Sequence, residues 1–82
     1  MHVTVLYFAA VRDIAGASEE KVELPGEVRD VAAFVRWVEA RHPGLAGRMG
    51  SVRIAKNERF ARNDEALAEG DVLALIPPVA GG

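Results

Sequence analysis

The stretch DVAAFVRWVEAR, residues 30–41, carries the clearest structural pattern in this sequence of 82 residues. Its apolar side chains recur with the helical period and form one stripe of an amphipathic helix. The stripe consists of Val31, Phe34, Val35 and Val38. Asp30 lies in the first turn, where the helix dipole favours a carboxylate, and His42-Pro43-Gly44 ends the helix. A helix with one apolar stripe needs a second layer to pack on.

Strand patterns flank the predicted helix on both sides. They are rich in β-branched and aromatic residues or alternate between polar and apolar ones. The strand patterns cover residues 3–8, 20–24, 52–56 and 72–76, and Phe60 begins a short edge segment. Residues 12–16 are predicted to form a loop or a short helical turn. The element order is therefore β-β-α-β-(β)-β.

The first and last strands are predicted to be the central pair, because they are the most apolar. If they run parallel, the helix lies in a right-handed crossover between them. The sequence thus predicts an α+β fold, in which one main helix packs on one face of a mixed sheet. This is the β-grasp architecture of ubiquitin. We expect residues 1–76 to form this domain and residues 77–82 to form a flexible C-terminal tail.

The tail reads Pro77-Pro78-Val79-Ala80-Gly81-Gly82. The two prolines suit a semi-rigid spacer, and the two glycines lack the Cβ that would obstruct a narrow channel. The pattern therefore indicates that the terminal carboxylate, that of Gly82, is the reactive group. A carboxylate is a poor electrophile, so a partner enzyme must first convert it to a mixed anhydride with a nucleotide phosphate.

Strand alternation predicts an apolar patch beside this tail. The residues expected to face the helix are Val3, Val5, Tyr7, Leu73 and Leu75. Those expected on the opposite face are Leu6, Phe8, Ala74 and Ile76. No second helix is predicted to cover them, and exposed apolar patches usually mark protein contacts. We predict a partner-binding patch of Leu6, Phe8, Phe60 and Ile76. The alternative is that residues 12–18, or the segment around Phe60, cover this face.

Composition excludes several classes of function. The 10 basic and 12 acidic residues are mixed along the chain and give a net charge of −2, which argues against binding nucleic acid or an anionic membrane. The apolar run at residues 5–11 is too short to span a bilayer. Cysteine is absent, which fits a cytoplasmic protein and means that no side-chain thiol can carry transferable sulfur.

Side-chain catalysis and metal binding are also disfavoured. No nucleophile motif surrounds Ser18 or Ser51, and a metal site needs several converging ligands. The two histidines, His2 and His42, are isolated in sequence. Three scattered acids near turns are interpreted as solvated surface residues and not as metal ligands: Asp64, Glu65 and Asp71. The spacing of Gly44, Gly47 and Gly50 resembles a phosphate-binding loop but lacks the Lys-Ser/Thr that follows in one.

The chain resembles MoaD-type proteins, the small subunits of molybdopterin synthase, over nearly its whole length. Residues 5–16, VLYFAAVRDIAG, fit the family's first strand and loop. Residues 67–82, LAEGDVLALIPPVAGG, fit its C-terminus. The specific signal is Pro-Pro-Val-x-Gly-Gly after a Gly-Asp-x-(apolar) strand. Glu27 occupies the position at which relatives often carry a Ser or Thr helix cap.

The resemblance implies that the protein is a β-grasp sulfur carrier. An E1-like enzyme would use ATP to adenylate Gly82, and a sulfur donor would convert the adenylate to a thiocarboxylate. The large synthase subunit, which holds the active site, would receive residues 77–81 and form a heterotetramer with this chain. Sulfur would then pass to the pterin precursor of the molybdenum cofactor. The chain itself would bind no cofactor and would meet its partner at positions that include Phe8 and Ile76.

Three alternatives remain at this point. The same Gly-Gly end would serve a ubiquitin-like modifier that is joined to lysines through Gly82. Sulfur could instead be carried for a tungsten cofactor or for thiamine, although the chain length and Pro-Pro-Val argue against thiamine. The third alternative is a simple interaction domain whose tail is inert.

Overall fold

The computed structural model describes residues 1–78. Within them the chain forms a single five-stranded sheet and two α-helices. The strands are β1 (His2–Tyr7), β2 (Glu19–Glu23), β3 (Arg53–Lys56), β4 (Arg59–Phe60) and β5 (Val72–Ile76). The helices are α1 (Ala9–Ala15) and α2 (Val31–Arg41), followed by 3-10 turns at Pro43–Leu45 and Met49–Ser51.

The strand order across the sheet is β2-β1-β5-β3-β4. The central strands β1 and β5 run parallel, with Val5 opposite Leu73 and Tyr7 opposite Leu75. All other neighbouring pairs are antiparallel. Since α2 connects the two halves of the sheet and packs on one face, the predicted α+β fold of β-grasp type is confirmed. Neither helix of residues 1–78 has the length and apolar character that a bilayer-crossing segment needs.

The core lies between α2 and one face of the sheet. This is the face that strand alternation predicts to pack against the helix. The buried side chains of the central strands are those of Val3, Val5, Tyr7, Leu73 and Leu75. From α2, the core receives Val31, Phe34 and Val38, whereas Val35 is only partly buried. Each large apolar side chain buried in this way stabilises the fold by about 2 kcal/mol.

The N-terminus of α2 is capped by Asp30. Its carboxylate oxygen accepts a hydrogen bond from the backbone N–H of Ala33 at 2.8 Å, which satisfies one of the free donors of the first turn. The expected position of the cap at Glu27 is wrong, because the helix begins four residues later, at Val31.

Helix α1 replaces the predicted loop or short turn at residues 12–16. Strand β1 ends at Tyr7, one residue earlier than predicted, because the left-handed φ of +50° at Ala9 turns the chain into the helix. The helix buries Val11 and ends at Gly16, whose φ of +78° makes the usual left-handed cap. Its Ile14 packs so closely on Gly44 that a Cβ there would lie 2.8 Å from Ile14 Cγ2. A side chain at Gly44 would therefore displace its neighbour Ile14.

Candidate functional site

An open groove crosses the face of the sheet opposite α2. The strand registers place four residues side by side across it, in the order Leu6, Ala74, Ala55, Phe60. The two alanines in the middle are small and form a low floor. Together with Phe8 and Ile76, these residues line a volume of about 550 Å³. We call this site the open-face groove and define it by Leu6, Phe8, Ala55, Phe60, Ala74 and Ile76.

Two aromatic side chains form exposed walls of the open-face groove. Phe8 is 46% exposed and Phe60 is 55% exposed, whereas both alanines of the floor are buried. Leu6 and Ile76 are half-buried. The four residues of the predicted patch thus lie together on one surface. That this surface binds a partner stays a prediction.

Two segments are the alternative candidates to cover this face of the sheet: residues 12–18 and the segment around Phe60. Within residues 1–78, neither of them covers it. Phe60 lines the groove as a wall, and residues 12–18 contribute nothing to its lining. Most of residues 12–18 belong instead to α1 and its cap. An exposed apolar surface of this kind is typical of a protein interface.

The C-terminal tail begins at one end of the open-face groove. Ile76 is the last residue of β5, Pro77 after it is half-buried, and Pro78 is exposed. The other predicted tail residues, Val79, Ala80, Gly81 and Gly82, lie outside the described residues. Their assignment to insertion and sulfur transfer stays a prediction.

A tight hairpin turn bounds the opposite end of the groove. Asn57 and Glu58 join β3 to β4 with φ values of +51° and +72°, the two positive angles of a type I′ turn. The Asn57 side chain accepts a hydrogen bond from Val72 N–H and donates one to the Asp71 carboxylate, both at 2.9 Å. The turn is therefore tied to the start of β5.

Asp71 is a buried structural residue, so its interpretation as a solvated acid is wrong. It is 8% exposed. Its second carboxylate oxygen accepts a hydrogen bond from the backbone N–H of Ala68 at 2.8 Å. The sequence does not reveal this role, because the partner Asn57 is 14 residues away and comes close only when β3 and β5 pair.

Arg53 is a residue of this surface that the sequence pattern alone does not reveal. It lies directly opposite Ile76 across the β3–β5 pair. Its guanidinium carbon is 3.6 Å from the centroid of the Phe60 ring, in a cation–π contact. A charged group therefore stands beside the aromatic wall at the end of the groove where the tail begins.

His42, which its sequence context disfavours as a catalytic residue, takes part in a structural network. The Tyr7 hydroxyl donates to Glu20 Oε1 at 2.7 Å, and His42 Nε2 lies 3.2 Å from the same hydroxyl. Arg41 donates to Glu20 Oε2 at 2.6 Å. This hydrogen bond is the main reason why the pKa of Glu20 falls to about 2. Burial, together with the bond to Glu20, raises the pKa of Tyr7.

The described part of the chain contains no cluster of potential metal ligands. His2 is exposed and its Nδ1 lies 3.2 Å from Glu69 Oε2, in a surface contact. Within residues 1–78, no three His, Asp or Glu side chains converge as metal ligands would. The open-face groove and the start of the tail at Pro77 are the strongest functional features of residues 1–78.

Comparison with known proteins identifies the family. The model of the ThiS family matches residues 5–82. The chain is 38% identical to the molybdopterin synthase sulfur carrier subunit of Chlamydomonas reinhardtii, and the alignment covers 100% of both chains. It is 34% identical to the Homo sapiens protein of the same name, with 98% of this chain and 93% of that protein covered.

Solved structures of similar proteins agree with this assignment. A putative molybdopterin converting factor subunit 1 from Pyrococcus furiosus superposes with a TM-score of 0.84 at 36% identity, over 96% of this chain and 99% of that one. The modifier SAMP1 from Haloferax volcanii gives a TM-score of 0.87 at 29% identity, over 100% of both chains. In a third structure, a complex of molybdopterin-converting factor subunits 1 and 2 from Helicobacter pylori, the matching chain has a TM-score of 0.70 at 26% identity and both chains are covered completely. The family match over nearly the whole length and the similarity to full-length relatives show that this chain belongs to the ThiS family, together with the molybdopterin synthase sulfur carrier subunits.

Proposed function

We propose that this protein is the sulfur carrier subunit of a molybdopterin synthase. The observation that carries the proposal is the full-length similarity to curated sulfur carrier subunits, in a chain that ends Pro-Pro-Val-Ala-Gly-Gly. The open-face groove at the root of this tail supports it, because a carrier must dock before its tip can react. The active site would belong to the large subunit, and this chain would donate the sulfur.

The chemistry would take place at the carboxylate of Gly82. An E1-like enzyme would direct a carboxylate oxygen to the α-phosphate of ATP, which releases pyrophosphate and forms an acyl-adenylate. A donor of sulfur at the sulfide level would then attack the acyl carbon, displace AMP and leave a C-terminal thiocarboxylate. In the transfer, the sulfur would bond to a carbon of the pterin precursor with loss of an oxygen substituent. Water would then hydrolyse the acyl–sulfur bond, which returns the ordinary carboxylate. Because the chain has no cysteine, the main-chain terminus is the position at which it could hold sulfur.

The large subunit of the synthase is the partner proposed for the groove. The structure from Helicobacter pylori contains subunits 1 and 2 of a molybdopterin-converting factor in complex, which supports the same pairing here. A tail of residues 77–82 reaches at most about 20 Å from the sheet when fully extended. The partner's active site must therefore lie within that distance of the docked groove. We propose a heterotetramer with two large subunits, and a cytoplasmic location where ATP is available.

A second candidate function is conjugation to other proteins. Small archaeal modifier proteins have the same fold, and SAMP1 matches over the full length of both chains with a TM-score of 0.87. Under this alternative, activated Gly82 would form an isopeptide bond with a lysine of the target. Sulfur carriage for a tungsten cofactor or for thiamine would use the same activated terminus and a different acceptor.

Intact-mass spectrometry tests the proposal directly. The protein is incubated with its E1-like enzyme, ATP and a sulfur source, and then with the large subunit and the pterin precursor. We expect a mass gain that corresponds to one oxygen replaced by sulfur, followed by its loss as the dithiolene forms. A variant that lacks Gly82 is the matched control and should gain nothing. Wild-type protein without the mass gain, but with Gly82-dependent conjugates of high mass in cells, would contradict the proposal and favour the modifier.

A further inference from the structure

The position of Arg53 follows from the strand registers. Alternation places Arg53 and Ala55 on the same face of β3, and Ala55 forms the floor of the open-face groove. Because Arg53 is opposite Ile76, it lies at the end of the groove where the tail begins. The guanidinium carbon of Arg53 lies 3.6 Å from the centroid of the Phe60 ring, so the charge rests against the aromatic wall of the groove.

The charge of Arg53 has no acidic partner in the described part of the chain. Three of the ten Lys and Arg side chains form ion pairs there: Arg41 with Glu20, Lys56 with Glu65, and Arg62 with Asp64. Among the other seven, Arg53 is the one that stacks on Phe60 beside the groove. Arg53 forms none of these contacts and is exposed. Its guanidinium nitrogens are thus available to an oxygen acceptor from another molecule.

Burial of the open-face groove by a protein would also desolvate Arg53. A buried guanidinium without a partner is strongly unfavourable, whereas a carboxylate in its plane can accept two parallel hydrogen bonds. Stacking on an aromatic ring leaves these in-plane donors free. A partner that offers a carboxylate at this point is therefore favoured, and a partner that offers an apolar or basic group is rejected.

The other end of the groove carries the opposite charge. Glu58 lines the groove at the hairpin turn, and β3 runs from Arg53 toward that turn. The groove is therefore apolar along its length, basic at the tail end and acidic at the hairpin end. A partner that carries one carboxylate beside its apolar contact can therefore bind along the groove in one of the two directions only. In that direction its carboxylate lies next to Arg53 and away from Glu58.

We propose that Arg53, held on Phe60, is a specificity-determining residue that pairs with a carboxylate of the large synthase subunit next to the entrance for the tail. This inference rests on the proposed function, because it takes its partner from there. The pairing would fix the docked orientation so that the tail points into the partner's active site.

Binding measurements with Arg53→Glu test the proposal. The large subunit is titrated with wild-type and variant protein at low and high salt, and far-UV circular dichroism establishes that each variant is folded. We expect Arg53→Glu to weaken binding by about tenfold or more at low salt, and by less at high salt, where the charge is screened. Arg59→Glu is the matched control. It makes the same charge change at an exposed position on the opposite face of β4 and should change affinity by less than about twofold.

Each outcome bears on the inference. Equal affinities of Arg53→Glu and wild-type protein, while Ile76→Asp loses binding, would overturn the role of Arg53 and leave the proposed function intact. Weaker thiocarboxylate formation with unchanged large-subunit binding would also overturn it, because the E1-like enzyme would then be the partner that reads Arg53. No binding of the wild-type protein to the large subunit would overturn both proposals. Restoration of Arg53→Glu binding by an Asp→Arg or Glu→Arg change in the partner would support the pairing.

Discussion

The Tyr7 hydroxyl donates a 2.7 Å hydrogen bond to Glu20 and so joins the core of the central strand to the edge strand β2. Arg41, at the end of α2, donates to the other oxygen of the same carboxylate. One carboxylate thus connects a central strand, an edge strand and the main helix. Because the three elements enclose the core, we expect this contact to contribute measurably to stability.

The stability of the protein should depend on the ionisation of Glu20. Its pKa falls from 4.5 to about 2 in the folded protein, so the ionised form favours folding above about pH 4.5. This contribution should be lost as the pH falls from about 4.5 to 2. The full shift would correspond to about 3 kcal/mol, but Arg41 is 43% exposed, so solvent screening reduces the expected value to about 1–2 kcal/mol.

Urea unfolding of Glu20→Gln between pH 2 and pH 7 checks this prediction. We expect the variant to be less stable than wild type by about 1–2 kcal/mol near pH 7, with the difference shrinking toward pH 2. Glu19→Gln makes the same charge change at the adjacent exposed position and should cost less than about 0.5 kcal/mol. A difference for Glu20→Gln that stays constant with pH would refute the ionic origin of the effect.

Gly44→Ala should destabilise the protein by about 1–3 kcal/mol. The new methyl group would lie 2.8 Å from Ile14 Cγ2, so the Ile14 side chain, α1 or the 3-10 turn must shift. Gly26→Ala is the control, because a Cβ there meets open space. The destabilisation caused by Gly44→Ala should be smaller in an Ile14→Ala background, because the Cγ2 methyl that would clash is then absent. A double-mutant cycle measures this coupling. Additive costs in that cycle would show that close packing is not the reason for the glycine.

Glu58→Gly should stabilise the protein by about 0.5–1 kcal/mol. Glu58 has a φ of +72° in the hairpin turn, where a residue with a Cβ is strained and glycine is not. Glu58→Ala is the matched control, because it removes the same charge but keeps the Cβ. Thermal unfolding should therefore show a higher midpoint for the glycine variant alone. An equal gain in both variants would attribute the effect to the charge.

The main features of the fold could be predicted from the sequence because they depend on local periodicity. The stripe at Val31, Phe34 and Val38 defined α2, and the apolar content of β1 and β5 identified the central parallel pair. The same alternation placed Leu6 and Ile76 on the open face. These signals extend over whole elements, so a boundary error of one residue does not change them.

Features that depend on single contacts could not be predicted in this way. Helix α1 has seven residues, too few to show a periodic stripe, and packing against the turn at Gly44 supports it. The burial of Asp71 depends on Asn57, which is near only after β3 and β5 pair. The position of Arg53 beside Phe60 required the β3–β5 and β3–β4 registers, which composition does not reveal.

Phe8→Asp and Ile76→Asp should each weaken binding of the large subunit while the fold survives. Both side chains line the open-face groove, and neither is fully buried. Apolar residues at the centre of an interface commonly contribute at least 2 kcal/mol, which corresponds to about thirtyfold in affinity. Calorimetric titration against the large subunit measures the loss. Ala40→Asp, at an exposed position of α2, is the control. Unfolding of either groove variant in isolation would instead show that the residue belongs to the core.

Gly82→Ala should abolish sulfur transfer while leaving docking unchanged. The added methyl group would lie beside the carboxylate that must approach the α-phosphate of ATP, and a displacement of about 1 Å at a reacting centre can cost about a hundredfold in rate. Because the groove residues are untouched, the affinity for the large subunit should stay within about twofold of wild type. Thiocarboxylate formation is followed by intact mass, and affinity by the same titration. Ala80→Gly, which alters the tail without adding a side chain at its tip, is the control. Normal thiocarboxylate formation by Gly82→Ala would show that the activating enzyme does not require an unbranched terminus, and wild-type cofactor production by that variant would favour an inert tail.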